Sequence, residues 1–87
     1  MILTALVTAS PAQAYPAGCT WGEMDARGSY AVCTSGSGAY RSYTRCTTWY
    51  GSGYMRYGAW EVTTYPRWST SSCSWGDSRA AYGIETR

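Results

Sequence analysis

The chain has 87 residues, a net charge of +2 and only 14% charged residues. This length fits one small domain, and so small a net charge argues against a nucleic-acid-binding protein. The sequence contains no His, which excludes a Ser-His-Asp triad and the usual general base near neutral pH. We therefore predict a protein that is not an enzyme and binds no cofactor.

The first 14 residues, MILTALVTASPAQA, are uncharged and end in an Ala-Gln-Ala sequence. A short apolar run followed by a small-x-small ending is typical of a signal-peptidase site, and the run is far below the roughly 20 residues that span a bilayer. We expect a signal peptide at 1–14, no membrane association, and a secreted, extracellular β domain at 15–87. No Lys or Arg precedes the apolar run, so we expect either a truncated signal or an internal Met at the start. A buried N-terminal strand is the alternative.

After residue 14, short alternating segments are separated by Gly/Ser turns. This pattern predicts an all-β fold, either a single small antiparallel meander sheet or a small barrel, stapled by two disulfides. The predicted strands are 30–34, 40–50, 54–62, 68–75 and 79–86. In the last strand, alternation places Ala80, Tyr82 and Ile84 toward the core and Arg79 toward water.

Four cysteines occur in this short chain: Cys19, Cys33, Cys46 and Cys73. In an oxidising compartment they predict two disulfides with three alternative connectivities. The sequence CTWGE at Cys19 is echoed by CSWGD at Cys73, which suggests two equivalent turn–strand units and favours Cys19 with Cys33 and Cys46 with Cys73. The cysteine spacings contain no C-x-x-C knuckle, so we predict no metal site.

The segment 46–62 places aromatic and β-branched residues on both sides of a Gly-Ser-Gly turn. A three-residue loop would set Tyr50 opposite Tyr54, so that paired residue numbers add to 104. The even-numbered face is then the expected core, with Gly58 leaving room for the disulfide, and it carries Cys46, Trp60 and Val62. A two-residue turn would exchange the faces on one strand, and a sheet folded over itself would bury part of both.

The odd-numbered face of this hairpin is the predicted binding surface. Exposed aromatic residues beside arginines are the types that concentrate binding energy at interfaces. Glu61 is expected to pair with an arginine of this face. The predicted surface consists of Arg41, Tyr43, Arg45, Trp49, Met55 and Tyr57.

Three stretches, CTSGSGAYRSYTRC, YGAW and SRAAYGIETR, resemble those of small secreted proteins of actinomycetes. These proteins share a C-x-x-G-x-G-x-Y-R…R-C hairpin, a Y-G-x-W strand and a closing R-A-x-x-G strand. The resemblance implies export and a disulfide-stapled β fold, and it implies no catalytic activity.

Three binding roles are consistent with the sequence. The first is a module that binds an extracellular protein partner, as an adaptor in a larger secreted assembly. The second is an inhibitor of a secreted hydrolase, with a reactive loop at 64–68 in which Pro66 stiffens the chain beside Arg67 and Trp68. The third is binding of polysaccharide through Trp and Tyr faces, which the lack of Asn and Gln after residue 14 weakens. The oligomeric state stays open.

Overall fold

The computed structural model describes residues 15–87, and the predicted signal peptide at 1–14 lies outside the described residues. Strands account for most of this part of the chain, and none of its residues is helical. The strands are β1 (Pro16–Glu23), β2 (Gly28–Gly36), β3 (Ala39–Thr47), β4 (Gly53–Tyr57), β5 (Glu61–Val62), β6 (Ser69–Ser72) and β7 (Ser78–Thr86).

The seven strands form two antiparallel sheets. Sheet A has the order β1-β2-β6. In sheet B the central strand β3 pairs with β4 and β5 along one edge and with β7 along the other. The predicted all-β class with antiparallel pairing is confirmed. The strands form two sheets and not one meander, because β6 pairs with β2 in sheet A and β7 pairs with β3 in sheet B.

Strand β1 is absent from the predicted elements. Cys19 lies in the middle of β1, opposite Cys33, whereas Cys73 follows the end of β6. The two halves of the sequence echo are therefore not equivalent units. The predicted strand 40–50 ends at Thr47, and the predicted strand 54–62 is divided into β4 and β5.

Both favoured disulfides are present, Cys19–Cys33 and Cys46–Cys73. The first joins neighbouring strands within sheet A. The second joins β3 of sheet B to the end of β6 in sheet A, so it ties the two sheets together. Each bridge closes a loop for which chain entropy predicts a stabilisation of about 3 kcal/mol.

Small polar side chains make up much of the interior between the sheets. Ser29, Ser42, Thr44, Ser69 and Ser71 are all buried. From residue 15 onward the sequence has no Leu, and its branched aliphatic residues are only Val32, Val62 and Ile84. The interior therefore depends on hydroxyl groups and the disulfides more than on aliphatic packing.

Hydrogen bonds across this interior centre on the Ser71 hydroxyl. Its oxygen lies 2.8 Å from the Thr44 hydroxyl, 3.0 Å from the Ser42 hydroxyl and 3.3 Å from the Ser29 hydroxyl. Ser29 and Thr44 are joined in turn at 2.8 Å. Since buried polar groups are costly only when they lack partners, this network makes a polar interior tolerable.

A β-bulge in β7 turns Arg79 into the molecule. Arg45 pairs with Ala81 but Cys46 pairs with Arg79, so one residue is skipped and the alternation of faces reverses. The predicted exposure of Arg79 is therefore wrong: its side chain is only 14% exposed and forms an ion pair with Glu23 of sheet A at 3.0 Å. It also donates hydrogen bonds to the carbonyl oxygens of Asp25 and Gly28.

The predicted core face of β7 holds only in part. Tyr82 and Ile84 lie opposite Thr44 and Ser42 and are half-buried. Ala80 lies at the bulge and is exposed.

Replacing the central hydroxyl tests the polar interior. Ser71→Ala leaves three buried hydroxyl groups short of a partner, so we expect a loss of about 2 kcal/mol in the free energy of unfolding. Urea unfolding measures this loss. Ser72→Ala, the same change at the exposed neighbour on β6, is the control and should stay within about 0.5 kcal/mol of wild type. Equal effects of the two substitutions would contradict the account of the interior.

Candidate functional site

The β3–β4 hairpin has a different register from the predicted one, but the same faces. Cys46 pairs with Tyr54 and Tyr43 pairs with Tyr57, so paired numbers add to 100 and not to 104. Both sums are even, and the odd-numbered residues of β3 and β4 still share one face. Along β3 the even-numbered residues from Tyr40 to Cys46 are buried, which confirms the predicted inner face of this strand.

The register shift gives Gly58 another role. A Cβ atom at Gly58 would lie 2.3 Å from the Ser69 hydroxyl and 2.7 Å from the Ser42 hydroxyl. The glycine therefore makes room for the approach of β6, and the predicted space for the disulfide is wrong.

A second irregularity follows β4. Between β3 and β5, Tyr40 pairs with Glu61 and Ala39 pairs with Val62, so the sum becomes 101 and the faces exchange. Val62 is consequently 46% exposed, and its predicted place in the core is wrong. The ring of Trp60 is only half-buried and contacts arginines of the outer side.

We use the term outer face for the side of sheet B that points away from sheet A. The strand pairings bring five of the six predicted surface residues together there. Three further residues, Trp60, Glu85 and Arg87, join them through strand pairing or contacts with arginine. The outer face consists of Arg41, Tyr43, Arg45, Met55, Tyr57, Trp60, Glu85 and Arg87.

Arg41 is the organising cation of the outer face. Its guanidinium carbon lies over the ring of Tyr57 at 4.0 Å and over the ring of Trp60 at 4.5 Å. Its Nη2 lies 2.8 Å from a carboxylate oxygen of Glu85. The predicted pairing with Glu61 is therefore wrong, because Glu85 stands directly opposite Arg41 on β7. Cation–π contacts at exposed sites are worth about 0.5–1 kcal/mol each, so the gain is chiefly fixed orientation.

Tyr43 lies flat on the sheet over a glycine. Gly83 is opposite Tyr43 in the β3–β7 ladder. A Cβ atom at Gly83 would lie 2.6 Å from the Tyr43 hydroxyl and 2.8 Å from its ring. The missing side chain thus sets the orientation of the ring, as when an aromatic residue covers a glycine across strands.

Trp49 is not on the outer face but in the loop at the end of the hairpin. The Thr48 hydroxyl accepts a hydrogen bond from Ser52 N at 2.9 Å, and Thr48 N donates to Ser52 O at 2.8 Å. This closed loop presents Trp49 with 86% of its surface exposed and its ring edge-on to Tyr50.

A second exposed tryptophan occupies the turn before β7. Trp75 is 88% exposed. The turn is held by the Tyr54 hydroxyl, which donates to Asp77 at 2.5 Å and accepts from Ser74 N at 2.9 Å. Tyr54 belongs to the inner side of β4, so Trp75 is anchored on the opposite side of sheet B from the outer face.

The predicted inhibitor loop is tied to the interior. The buried Tyr40 hydroxyl donates to the Arg67 carbonyl at 2.6 Å and accepts from Arg67 N at 3.0 Å. Trp68 stacks on Tyr30 with ring centroids 4.3 Å apart, and Pro66 is exposed. Since a protease would need the main-chain groups of Arg67, this arrangement weighs against the inhibitor hypothesis, which stays a prediction.

Two further findings concern metal binding and membrane-spanning helices. Within residues 15–87, no three side chains of His, Cys, Asp or Glu lie close enough together to hold a metal ion. No helix in this part of the chain has the length and apolar character needed to cross a membrane. The two disulfides fit an oxidising environment.

Comparisons with protein-family models, with curated proteins and with solved structures find no match to this chain.

Filling the space under Tyr43 tests the packing of the outer face. Gly83→Ala forces the ring to move, and we expect a destabilisation of about 1–3 kcal/mol with a change in the near-UV circular dichroism of tyrosine. The control repeats Gly83→Ala in a Tyr43→Ala variant. There the new methyl group meets no ring, so the loss of unfolding free energy should be much smaller. Equal losses of unfolding free energy in the two backgrounds would contradict the contact.

Proposed function

We propose that this chain is a secreted, non-catalytic binding module that recognises an extracellular protein partner through the outer face of sheet B. The observation that carries the proposal is the arrangement of Tyr57, Arg41 and Trp60, in which one guanidinium lies over two aromatic rings on an open sheet surface. Tyr, Trp and Arg are the residue types that most often dominate binding energy at interfaces.

Pre-organisation supports the proposal. Arg41 is held by Glu85 and by the two rings, and Tyr43 lies across Gly83. Binding a partner to side chains that are already ordered costs less conformational entropy than binding to mobile ones. Tyr57 and Met55 are exposed beside them, so apolar area is available for burial.

Charge on the outer face is also available to a partner. Arg41 is neutralised by Glu85, but the exposed Arg45 forms no ion pair with any carboxylate between residues 15 and 87. An unpaired arginine at the edge of an aromatic surface favours a partner that supplies a carboxylate there.

Secretion belongs to the same proposal. It rests on the predicted signal peptide at 1–14 and on the resemblance to small secreted actinomycete proteins, and the disulfides are consistent with it. We further propose that the module serves as an adaptor in a larger secreted assembly.

Two alternatives have less support. Sugar-binding platforms use rings that lie side by side in one plane, whereas Trp49 and Tyr50 are at 85° and Tyr30 and Trp68 cover one another. The inhibitor loop has the main-chain groups of Arg67 engaged by Tyr40.

A pull-down from culture supernatant tests the outer face. Tyr57→Ala should reduce recovery of the partner at least about tenfold, which corresponds to about 1.4 kcal/mol of binding free energy. Trp49→Ala should produce a smaller loss, because the ring lies in the hairpin loop and not on the outer face.

Two controls match these substitutions in exposure. Trp21→Ala removes an aromatic residue of sheet A whose exposed fraction is close to that of Tyr57, and Trp75→Ala removes a tryptophan as exposed as Trp49. Both should recover the partner at the wild-type level. If Tyr57→Ala and Trp21→Ala recover it equally, the assignment of the outer face is wrong.

A further inference from the structure

The hydrogen-bonding direction along β4 follows from the bonds at the two ends of the hairpin. Gly58 N donates to Ser42 O at 2.9 Å, and Thr48 N donates to Ser52 O at 2.8 Å. In an antiparallel ladder, directly bonded pairs alternate with pairs whose main-chain groups point away. The even-numbered residues of β4 therefore bond to β3, and the main-chain groups of Gly53, Met55 and Tyr57 point to the opposite edge.

That outward edge of β4 is open. Between residues 15 and 87, no strand other than β3 pairs with β4, and no side chain bonds to the outward main-chain groups of Met55 or Tyr57. Unpaired N–H and C=O groups in a row form a template for another strand.

The other strands at the sheet edges carry features that discourage added strands. β1 has a proline at Pro16 and a left-handed glycine at Gly18, with φ of 61°. β7 contains the bulge near Ala80, and β5 and β6 have only two and four residues. β4 has five residues with no proline, glycine kink or bulge in its middle. Bulges, prolines and short lengths are the usual protections of an edge.

Resting on the proposed function, we propose that the partner binds by strand addition: an extended, acidic segment of the partner pairs with β4 and extends sheet B by one strand. Main-chain hydrogen bonds to Met55 and Tyr57 supply the pairing, and the outer face supplies the side-chain contacts, as in other cases of β-augmentation.

The acidic character of the partner segment follows from two arginines near this edge. Arg56 lies on β4 itself, where its Nη2 donates to the Ser74 hydroxyl at 2.7 Å, and Arg45 lies one strand further in, opposite Met55 on β3. Their side chains point to opposite sides of the sheet. Neither has a carboxylate partner between residues 15 and 87, whereas Arg41 and Arg79 each have one. Carboxylates at neighbouring positions of an added strand would point to the two sides of the sheet, one toward the side of each arginine. A second copy of this chain pairing through its own β4 would supply no carboxylate, because β4 contains no Asp or Glu.

A single proline substitution in the open edge tests the proposal. The probe is a phage library of random linear dodecapeptides, selected on the folded wild-type protein. Met55→Pro removes an N–H group that points away from β3, so no hydrogen bond to β3 is lost. Edge strands tolerate proline at such positions. Met55→Leu is the control that keeps the N–H group.

We expect the selected peptides to be rich in Asp and Glu and to bind Met55→Pro at least about tenfold more weakly than Met55→Leu. A second measurement uses only the wild-type protein, so it does not depend on the proline variant folding. On addition of a selected peptide, the amide hydrogens of Met55 and Tyr57 should exchange at least about tenfold more slowly.

Each contrary result has a distinct meaning. Peptides that bind Met55→Pro as tightly as Met55→Leu, or that leave the Met55 and Tyr57 amides unprotected, overturn strand addition. If such peptides still lose affinity for Tyr57→Ala, the proposed outer face survives, and if they do not, it fails as well. A wild-type dimer that Met55→Pro converts into a monomer assigns the edge to a second copy and also overturns the proposal.

Discussion

Hydrogen bonding among serine and threonine hydroxyls between the two sheets is the constraint on which the rest of this structure depends. Ser71 contacts Ser29, Ser42 and Thr44 across the interior. Such side chains are too small to fill a wide core, so the sheets approach closely where these hydroxyl groups meet. The Cys46–Cys73 disulfide and Arg79 hold the sheets together at one end.

The placement of the aromatic residues follows from that interior. Among the large rings of residues 15–87, Tyr40 alone is fully buried, and its hydroxyl is satisfied by Arg67. The remaining rings are half-buried or exposed, and arginine or glycine residues order several of them: Arg41 lies over Tyr57 and Trp60, and Tyr43 covers Gly83. A domain with a polar interior thus carries much of its aromatic area at or near the surface.

Local sequence patterns predict the strand class and the inner face of β3, because alternation is a short-range signal. The favoured disulfide pairing is also confirmed, although the sequence echo that favours it does not mark two equivalent units. Local patterns do not predict the two single-residue irregularities, at β5 and at β7, which reverse the faces of Val62 and Arg79. A bulge depends on contacts with strands distant in sequence. One feature of the sequence does indicate the polar interior: branched aliphatic residues are nearly absent after residue 14. Glu85 and Arg87 join the outer face only through the β3–β7 pairing.

The central claim is that the outer face of sheet B, and not another aromatic surface, contacts the partner. Site-specific photo-crosslinking tests it most directly, with a photoreactive phenylalanine analogue placed at Tyr57 or at Trp21 of sheet A and irradiated in culture supernatant. Both positions hold aromatic residues of similar exposure, so chance encounters should label them equally. A defined crosslinked species is expected from position 57 and none from position 21. Equal labelling, or a species formed from position 21 alone, would contradict the claim.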